Sequence, residues 1–520
     1  METTISQKKF AAASWILSAG ILLILLFAAT KHEMGGYGVE TDFYWAYAPD
    51  AQRLLNGEMP KEPGVGPVYS LTLAAINLAL DDWFVSGRTL SLISTVLCGL
   101  FTFGFLKSVF NARLAFYTLV LWFAVVMNWA LVASTDMFFA MLVASSVFLL
   151  YRHGEFSNRN LLFSGLAMGV CYLTRHNAIV LPLGVALILL FLNPDAEALA
   201  PRLKKIGLFA AAFILINIPW SLIQMFASGS PLRSDSYLII ASHFYGRSGV
   251  VSSEDMRQSA QQFNSLWSVI SYDFIHFVKH YIKNLYRHFN DLMLHSAQFP
   301  AFLFVVAGML MAFPGMSKRQ LSLFVFPSIS FLLLCLVHYE PRYYLYILSF
   351  FLLFVPYFLF TFAVPANGLA ILKRWRFVAQ GIVFAFTVVF ALNFSVKEIR
   401  ESIASEPREL IEIAAEFKRK GIDGRTIIAR KPHFGFLTNL ETVYFPEANS
   451  IEMLLAFARD EGADFLLYGE MESERRPELQ KLLEPDSAPP QLQVVTVWQQ
   501  PKTVLYRLNF APSDGAQTGG

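Results

Sequence analysis

Long apolar runs separated by short polar stretches organise most of this chain. Runs of membrane-crossing character lie near residues 11–30, 88–107, 113–131, 136–151, 160–174, 177–193 and 206–226. Four more lie near 299–315, 320–337, 343–362 and 378–396. A helix needs about 20 apolar residues to cross a hydrocarbon core of about 30 Å, and several of these runs sit near the short limit of about 17. The pattern predicts a polytopic α-helical membrane protein with about eleven transmembrane helices.

One further apolar run, "PVYSLTLAAINLAL" at 67–80, tests that topology. As a helix it rises only about 21 Å, too little to span. If it lies on the membrane surface, the charges sort cleanly. Lys107, Arg113, Arg152, Arg159, Arg202, Lys204, Lys205, Lys318, Arg319, Lys373, Arg374 and Arg376 fall on the cytoplasmic side, and only Arg175 and Arg342 stay in the short outward loops. A spanning 67–80 segment would reverse the asymmetry, so the positive-inside rule favours a surface helix. The run at 11–30 follows Lys8 and Lys9, exceeds a signal-peptide core and lacks a small-x-small cleavage site; it reads as an uncleaved first helix with a cytoplasmic amino end.

Composition agrees. Hydrophobic residues make up 55% of the 520 and charged residues 15%, with a mean hydropathy of +0.47, which excludes an ordinary soluble protein. A net charge of +2 with no basic domain gives no reason to expect nucleic acid. Cys98, Cys171 and Cys335 lie inside apolar runs without metal-like spacing, and read as small buried hydrophobes.

The domain layout follows. Residues 1–396 form the transmembrane domain, with a first outer loop at 31–87 and a long outer loop at 227–298. After Ser395 the composition becomes that of a soluble domain, and 397–510 reads as a small α/β domain on the outer side. Its expected elements are an amphipathic helix over 402–420, strands at 425–430 and 464–470, a helix at 450–463 and a hairpin turned at Gln500–Pro501. The tail 511–520 reads as disordered. In the long loop, 270–295 has a helical pattern in which Lys279, Lys283 and Arg287 recur every four residues. That stripe suits either lipid headgroups beneath an interfacial helix or a direct hold on a substrate phosphate.

The chemistry-bearing residues fall on the outward side. "VETDFYWAYAPDAQRLLNGE" at 39–58 sets Glu40 and Asp42 beside Tyr44 and Trp45. Asp42 suits a general base or a metal ligand, and the rings suit sugar stacking; a first-turn Asp, or Thr41, is equally a helix cap. Asp136 begins a span behind Ser134 and Thr135, which leaves capping and function both open. Arg342 in "HYEPRYYLYIL" stands against the positive-inside bias, either as a bidentate phosphate ligand or as a partner of Glu340. Arg175 and His176 pose the same choice. His338 without a spaced partner is a weak metal signal. Polar residues gathered at one surface, with no internal repeat and an appended soluble domain, favour an enzyme over a transporter of a lipid-linked or sugar substrate.

These stretches resemble the GT-C glycosyltransferases, in particular the family of protein O-mannosyltransferases and lipid A aminoarabinose transferases. "TDFYWAYAPDAQRLLNGE" resembles the family's first loop and "GPVYSLTLAAINLAL" its surface helix. "ASTDMFFAMLVASSVFLLYR" resembles the second acidic loop, and "EPRYYLYILSFF" the late Arg-Tyr motif. "GLAMGVCYLTRHNAIVLP" and "IIARKPHFGFLTNLETVYFP" resemble the next helix pair and the small outer domain. Phe43 stands where many members have a second acid, and Gly66 where many have His or Lys.

The resemblance implies transfer of a hexosyl or pentosyl unit from a polyprenyl-phosphate carrier to a glycan, lipid or protein acceptor at the outer face of the inner membrane. It implies Asp42 as base, with Asp136 orienting Asp42's partners or binding the acceptor. Arg342, helped by Arg175 or by Lys279 and Lys283, would hold the donor phosphate, and Glu40, Tyr44, Trp45, Tyr69 and His176 would contact substrate. No cofactor is firmly implied, and a divalent metal is conceivable but not expected.

Overall fold

The computed structural model describes residues 4–60, 66–152, 156–192, 197–230, 236–246, 259–361 and 370–510. The tail at 511–520, and the side chains of Lys373, Arg374 and Arg376, lie outside that set. The chain divides into two compact units, Met1–His32 with Leu54–Glu401 and Glu33–Arg53 with Ser402–Gly520.

In the first unit each apolar run of the sequence is helical. Among the described residues six helices are long and apolar enough to cross a membrane, and Thr135–Tyr151, His176–Leu192 and Ala301–Gly315 are shorter apolar helices. Their outward surfaces are greasy: Phe226 is 88% exposed, and Ile16, Phe27, Leu310 and Phe386 are exposed as well. Such a surface is stable only against lipid. The 67–80 run forms Val68–Leu80, a helix of 13 residues.

Helix Asn158–Tyr172 approaches helix Leu199–Ser228 through Gly165 and Gly169. A Cβ on Gly169 would stand 2.0 Å from Ile216 Cγ2, so the "GLAMG" spacing is a close-packing seam of the kind small residues make in membranes.

The basic stretch at 270–295 is two helices rather than one, Leu266–Tyr272 and Phe274–Asp291. Asp273 ends the first and caps the second, accepting the His276 N–H at 2.9 Å. On the second helix Phe277, Asn284 and His288 are buried, Ile275, Ile282 and Tyr286 are exposed, and Lys279, Lys283 and Arg287 form an exposed stripe beside them. A helix with an exposed apolar arc next to a basic arc is suited to lie in a membrane interface.

The second unit is built on a five-stranded sheet, β1 (Thr426–Ala429), β2 (Glu441–Tyr444), β3 (Phe465–Gly469), β4 (Leu492–Gln499) and β5 (Lys502–Leu508), in the order β2-β1-β3-β5-β4. β1 pairs parallel with β2 and β3, and β3-β5-β4 is antiparallel. The hairpin turns at Gln500–Pro501.

Three further features depart from the sequence expectations. β2 was not anticipated. The expected helix over 402–420 is instead the end of a long helix, Ala370–Ala404, followed after a break by Glu409–Arg419. Pro407, which lacks an N–H and disfavours helical backbone in the residue before it, separates the two. Finally, Glu33–Arg53 groups with the C-terminal residues rather than with the rest of the 31–87 loop. Met34 enters the core with Leu410, Phe417, Phe434 and Phe465, and the Glu33 N–H donates to Glu406 Oε1 at 3.1 Å.

Candidate active site

Around the start of Thr135–Tyr151 the first unit buries a charge pair. Ser134 caps this helix, its hydroxyl accepting the Asp136 N–H, so the Asp136 carboxylate is not the cap. That carboxylate is fully buried and meets Arg175, with 2.7 Å between Nη2 and Oδ1. Arg175 Nε also donates to Thr135 Oγ1 at 2.8 Å. Arg175 therefore grips two consecutive residues with one planar fork, a task lysine could not perform.

The guanidinium of Arg175 lies 5.9 Å from the Tyr343 ring, and that of Arg342 lies 5.3 Å from the same ring. Both arginines thus approach the Tyr343 ring, which links Asp136, Arg175 and Arg342 in one cluster. The carboxyl of Glu340 is held below its usual range, first by His338, whose Nε2 is 3.7 Å away, and then by Arg342. His176 stacks near Tyr172, with 5.0 Å between ring centroids. Tyr69 is fully buried beside Phe138.

Gly66 has a steric reason to be glycine. A Cβ there would stand 1.9 Å from the carbonyl oxygen of Leu173, and that same oxygen accepts the Val68 N–H at 3.2 Å. Neither histidine nor lysine fits without displacing the Leu173 backbone. Lys279 and Lys283 sit on the interfacial helix Phe274–Asp291, exposed at its surface.

Asp42 belongs to the second unit. Its helix runs Glu40–Asp42, widens into a π turn at Phe43–Tyr47 and continues as Ala48–Leu55. Pro49 has no N–H to return to the Trp45 carbonyl, which accounts for an irregular turn just upstream. Phe43 and Tyr44 turn inward, and Asp42 is exposed without a capping hydrogen bond. Thr41 does not cap either, since its hydroxyl donates to the Tyr37 carbonyl. Glu40 is buried.

This helix packs on the loop after β1 and on β2. Tyr44 donates to the Met34 carbonyl at 2.8 Å and its ring lies 4.4 Å from His433. His433 Nε2 is 3.1 Å from the Gly36 carbonyl, and Trp45 lies 4.7 Å from Tyr444. Two residues that sequence reasoning missed surround Asp42. Burial holds the Lys431 ammonium below the lysine range while the Asp42 charge pulls it back up. Burial, and then Asp42, push the Tyr444 phenol up to about 12. The only sequence signal was a basic "ARKPH" closing a strand. Among the described residues no three His, Cys, Asp or Glu side chains come together as a metal site.

Residues 61–220 match the family model described as dolichyl-phosphate-mannose-protein mannosyltransferase. No curated protein matches the sequence. Among solved structures, ArnT from Cupriavidus metallidurans bound to undecaprenyl phosphate is similar at 15% identity, covering 96% of this chain and 99% of that one, with a TM-score of 0.54. The Archaeoglobus fulgidus oligosaccharyltransferase in complex with Zn and sulfate is similar at 13% identity, covering 87% and 68%, with a TM-score of 0.53. The same organism's AglB with an inhibitory peptide and a dolichol-phosphate is similar at 12%, covering 88% and 70%, with a TM-score of 0.54. The resemblance carried by the loops and helices of the sequence is thereby borne out: the chain has the GT-C membrane fold, and its residues 61–220 match the mannosyltransferase family.

Proposed function

We propose that the protein is a membrane glycosyltransferase that moves a hexosyl or pentosyl unit from a polyprenyl-phosphate carrier to a glycan, lipid or protein acceptor. The site would face the periplasmic side of the inner membrane. The observation that carries this reading is the cluster of Asp136, Arg175 and Arg342 about Tyr343, on the fold and family match just described. Arg342 is assigned to the departing phosphate, because Arg175 is occupied by Asp136 and Thr135. Arg175 then acts as a positioning residue for Asp136 rather than as a phosphate ligand.

In the reaction the acceptor's oxygen attacks the anomeric carbon and its proton passes to Asp42. The bond between that carbon and the phosphate oxygen breaks, and the electron pair leaves with the polyprenyl phosphate. Phosphate is a competent leaving group, so one base suffices, and a single displacement inverts the anomeric centre. Arg342 stabilises the charge that grows on the phosphate, with the interfacial Lys279 and Lys283 attracting the anionic carrier. Lys431 supplies a positive charge beside Asp42.

Asp42→Asn tests the reading. It removes the proton acceptor at an exposed position and leaves the helix intact, so it should fold and reach the membrane. Turnover should fall roughly 10²–10⁴-fold, the usual worth of a general base. A well-folded variant with near-wild-type transfer in nanodiscs would end the catalytic role of Asp42.

A further inference from the structure

The sheet of the second unit has a topological switch point. From β1 the chain moves to β2 on one side, then crosses to β3 on the other side of β1. Open α/β sheets bind ligands in the crevice outside the carboxyl ends of their parallel strands at such a point, because the two departing loops part there. The crevice exists here, with a volume of about 480 Å³, lined by Arg430 from the β1 end, Glu447, Ala448 and Asn449 after β2, and Arg475, Arg476 and Glu478 beyond β3. That volume lies within the range of small-molecule sites, roughly 300–1,000 Å³.

The lining defines the ligand. Arg430 is already paired with Glu472 at 2.9 Å and stacked over Tyr37 at 4.4 Å, so it forms a wall. Arg476 is held in place, its Nε donating to the Pro446 carbonyl at 3.3 Å and its plane lying over Phe445 at 4.7 Å. That anchoring leaves the two terminal nitrogens of its fork to donate elsewhere. Arg475 is exposed beside it. Two arginines against two glutamates give no net attraction for a polyanion such as nucleic acid or polyphosphate. Forks for one anionic group, with carboxylates and the Asn449 amide for hydroxyls, suit a sugar bearing a single negative charge. Ala448 is the only apolar residue in the lining, so a polyprenyl chain has nothing to pack on.

We propose that this crevice binds an anionic sugar, carboxylated or phosphorylated, as part of the acceptor. The proposal rests on the transferase reading, and it gives the unit that carries Asp42 a role in choosing what Asp42 deprotonates. Binding is measured apart from transfer, on the full-length protein in detergent, by saturation-transfer NMR with glucuronate, glucose 6-phosphate and glucose.

Both anions should bind and glucose should bind at least tenfold more weakly. A preference between the anions identifies which group the acceptor carries. Arg475→Ala, a surface change that leaves the fold alone, should weaken anion binding roughly tenfold, the loss of one charge-assisted contact. Arg476→Lys, which keeps the charge without the fork, should do likewise. Equal binding of glucose and the anions, or anion binding unchanged in both variants, overturns the crevice as an anionic-sugar site. Binding of polyprenyl phosphate, followed on the same samples, reports separately on the transferase reading.

Discussion

Replacing Arg175 by methionine isolates the energetics of the buried pair. Asp136 has no exposed side-chain surface and Arg175 only 16%. Methionine keeps the bulk and apolar stem but removes the charge, stranding a carboxylate in an apolar surround and freeing Thr135 Oγ1 of its donor. Breaking such a pair from one side costs about 3–5 kcal/mol, most of it the uncompensated charge. The double variant Arg175→Met/Asp136→Leu removes both charges and should regain most of that loss, since a desolvated pair and a packed apolar pair are nearly equivalent. The assay is the apparent melting temperature in detergent. The single variant should fall by about 5 °C or more, and the double should lie well above it. If Arg175→Met melts with the wild type, the two charges are not coupled. If the double variant melts lower than the single, the pair contributes net stability and desolvation has been overrated. Transfer should be lost in both variants, because Asp136 is misplaced in one and absent in the other.

Arg342→Lys should raise the donor KM and lower turnover, and Arg342→Ala more so; unchanged kinetics in both would remove Arg342 from the phosphate site. His433 is fully buried, and burial lowers its pKa to about 3 against an ordinary value of 6.5. The unfolded chain therefore takes up a proton that the folded one refuses, so stability is fully present above pH 6.5 and is lost as pH falls toward 3, by about 1.4 kcal/mol per unit. His433→Gln, which retains a donor for the Gly36 carbonyl, should melt with a flatter dependence between pH 7 and 5, and an unchanged slope would discard His433 as its source. The three native cysteines are buried, so single cysteines can report topology: Asn56→Cys and Ser405→Cys should react with an impermeant thiol reagent in intact cells and Asn158→Cys should not. Labelling at Asn158 would overturn the charge-based orientation.

The membrane helices were legible because a bilayer imposes length and apolarity locally, residue by residue. The 67–80 helix was readable for the same reason, from being too short. Asp136, Arg175 and Arg342 could be named from their cost at a membrane boundary, but not their pairing. That depends on how helices Thr135–Tyr151 and Asn158–Tyr172 pack, which no spacing encodes. β2 mixes buried and exposed positions over four residues, where the equally short β1 is a buried apolar run. Least visible was the company of Asp42. Its neighbours Lys431 and Tyr444 arrive from the far end of the chain, and one contact between the two stretches, His433 with Gly36, spans 397 residues.

That separation has a temporal side. Residues 33–53 leave the ribosome long before 402–510 exist to receive them. At about 5–20 residues per second, the wait is on the order of tens of seconds. During that interval Met34, Phe43 and Tyr44, all destined for a core, have none. A nascent chain in that condition exposes apolar side chains next to a bilayer, where aberrant insertion competes with waiting. Premature termination anywhere before β1 would leave the amino-terminal half permanently in that state. Loss of the last hundred or so residues is therefore expected to disable the Asp42 loop as surely as a lesion within it.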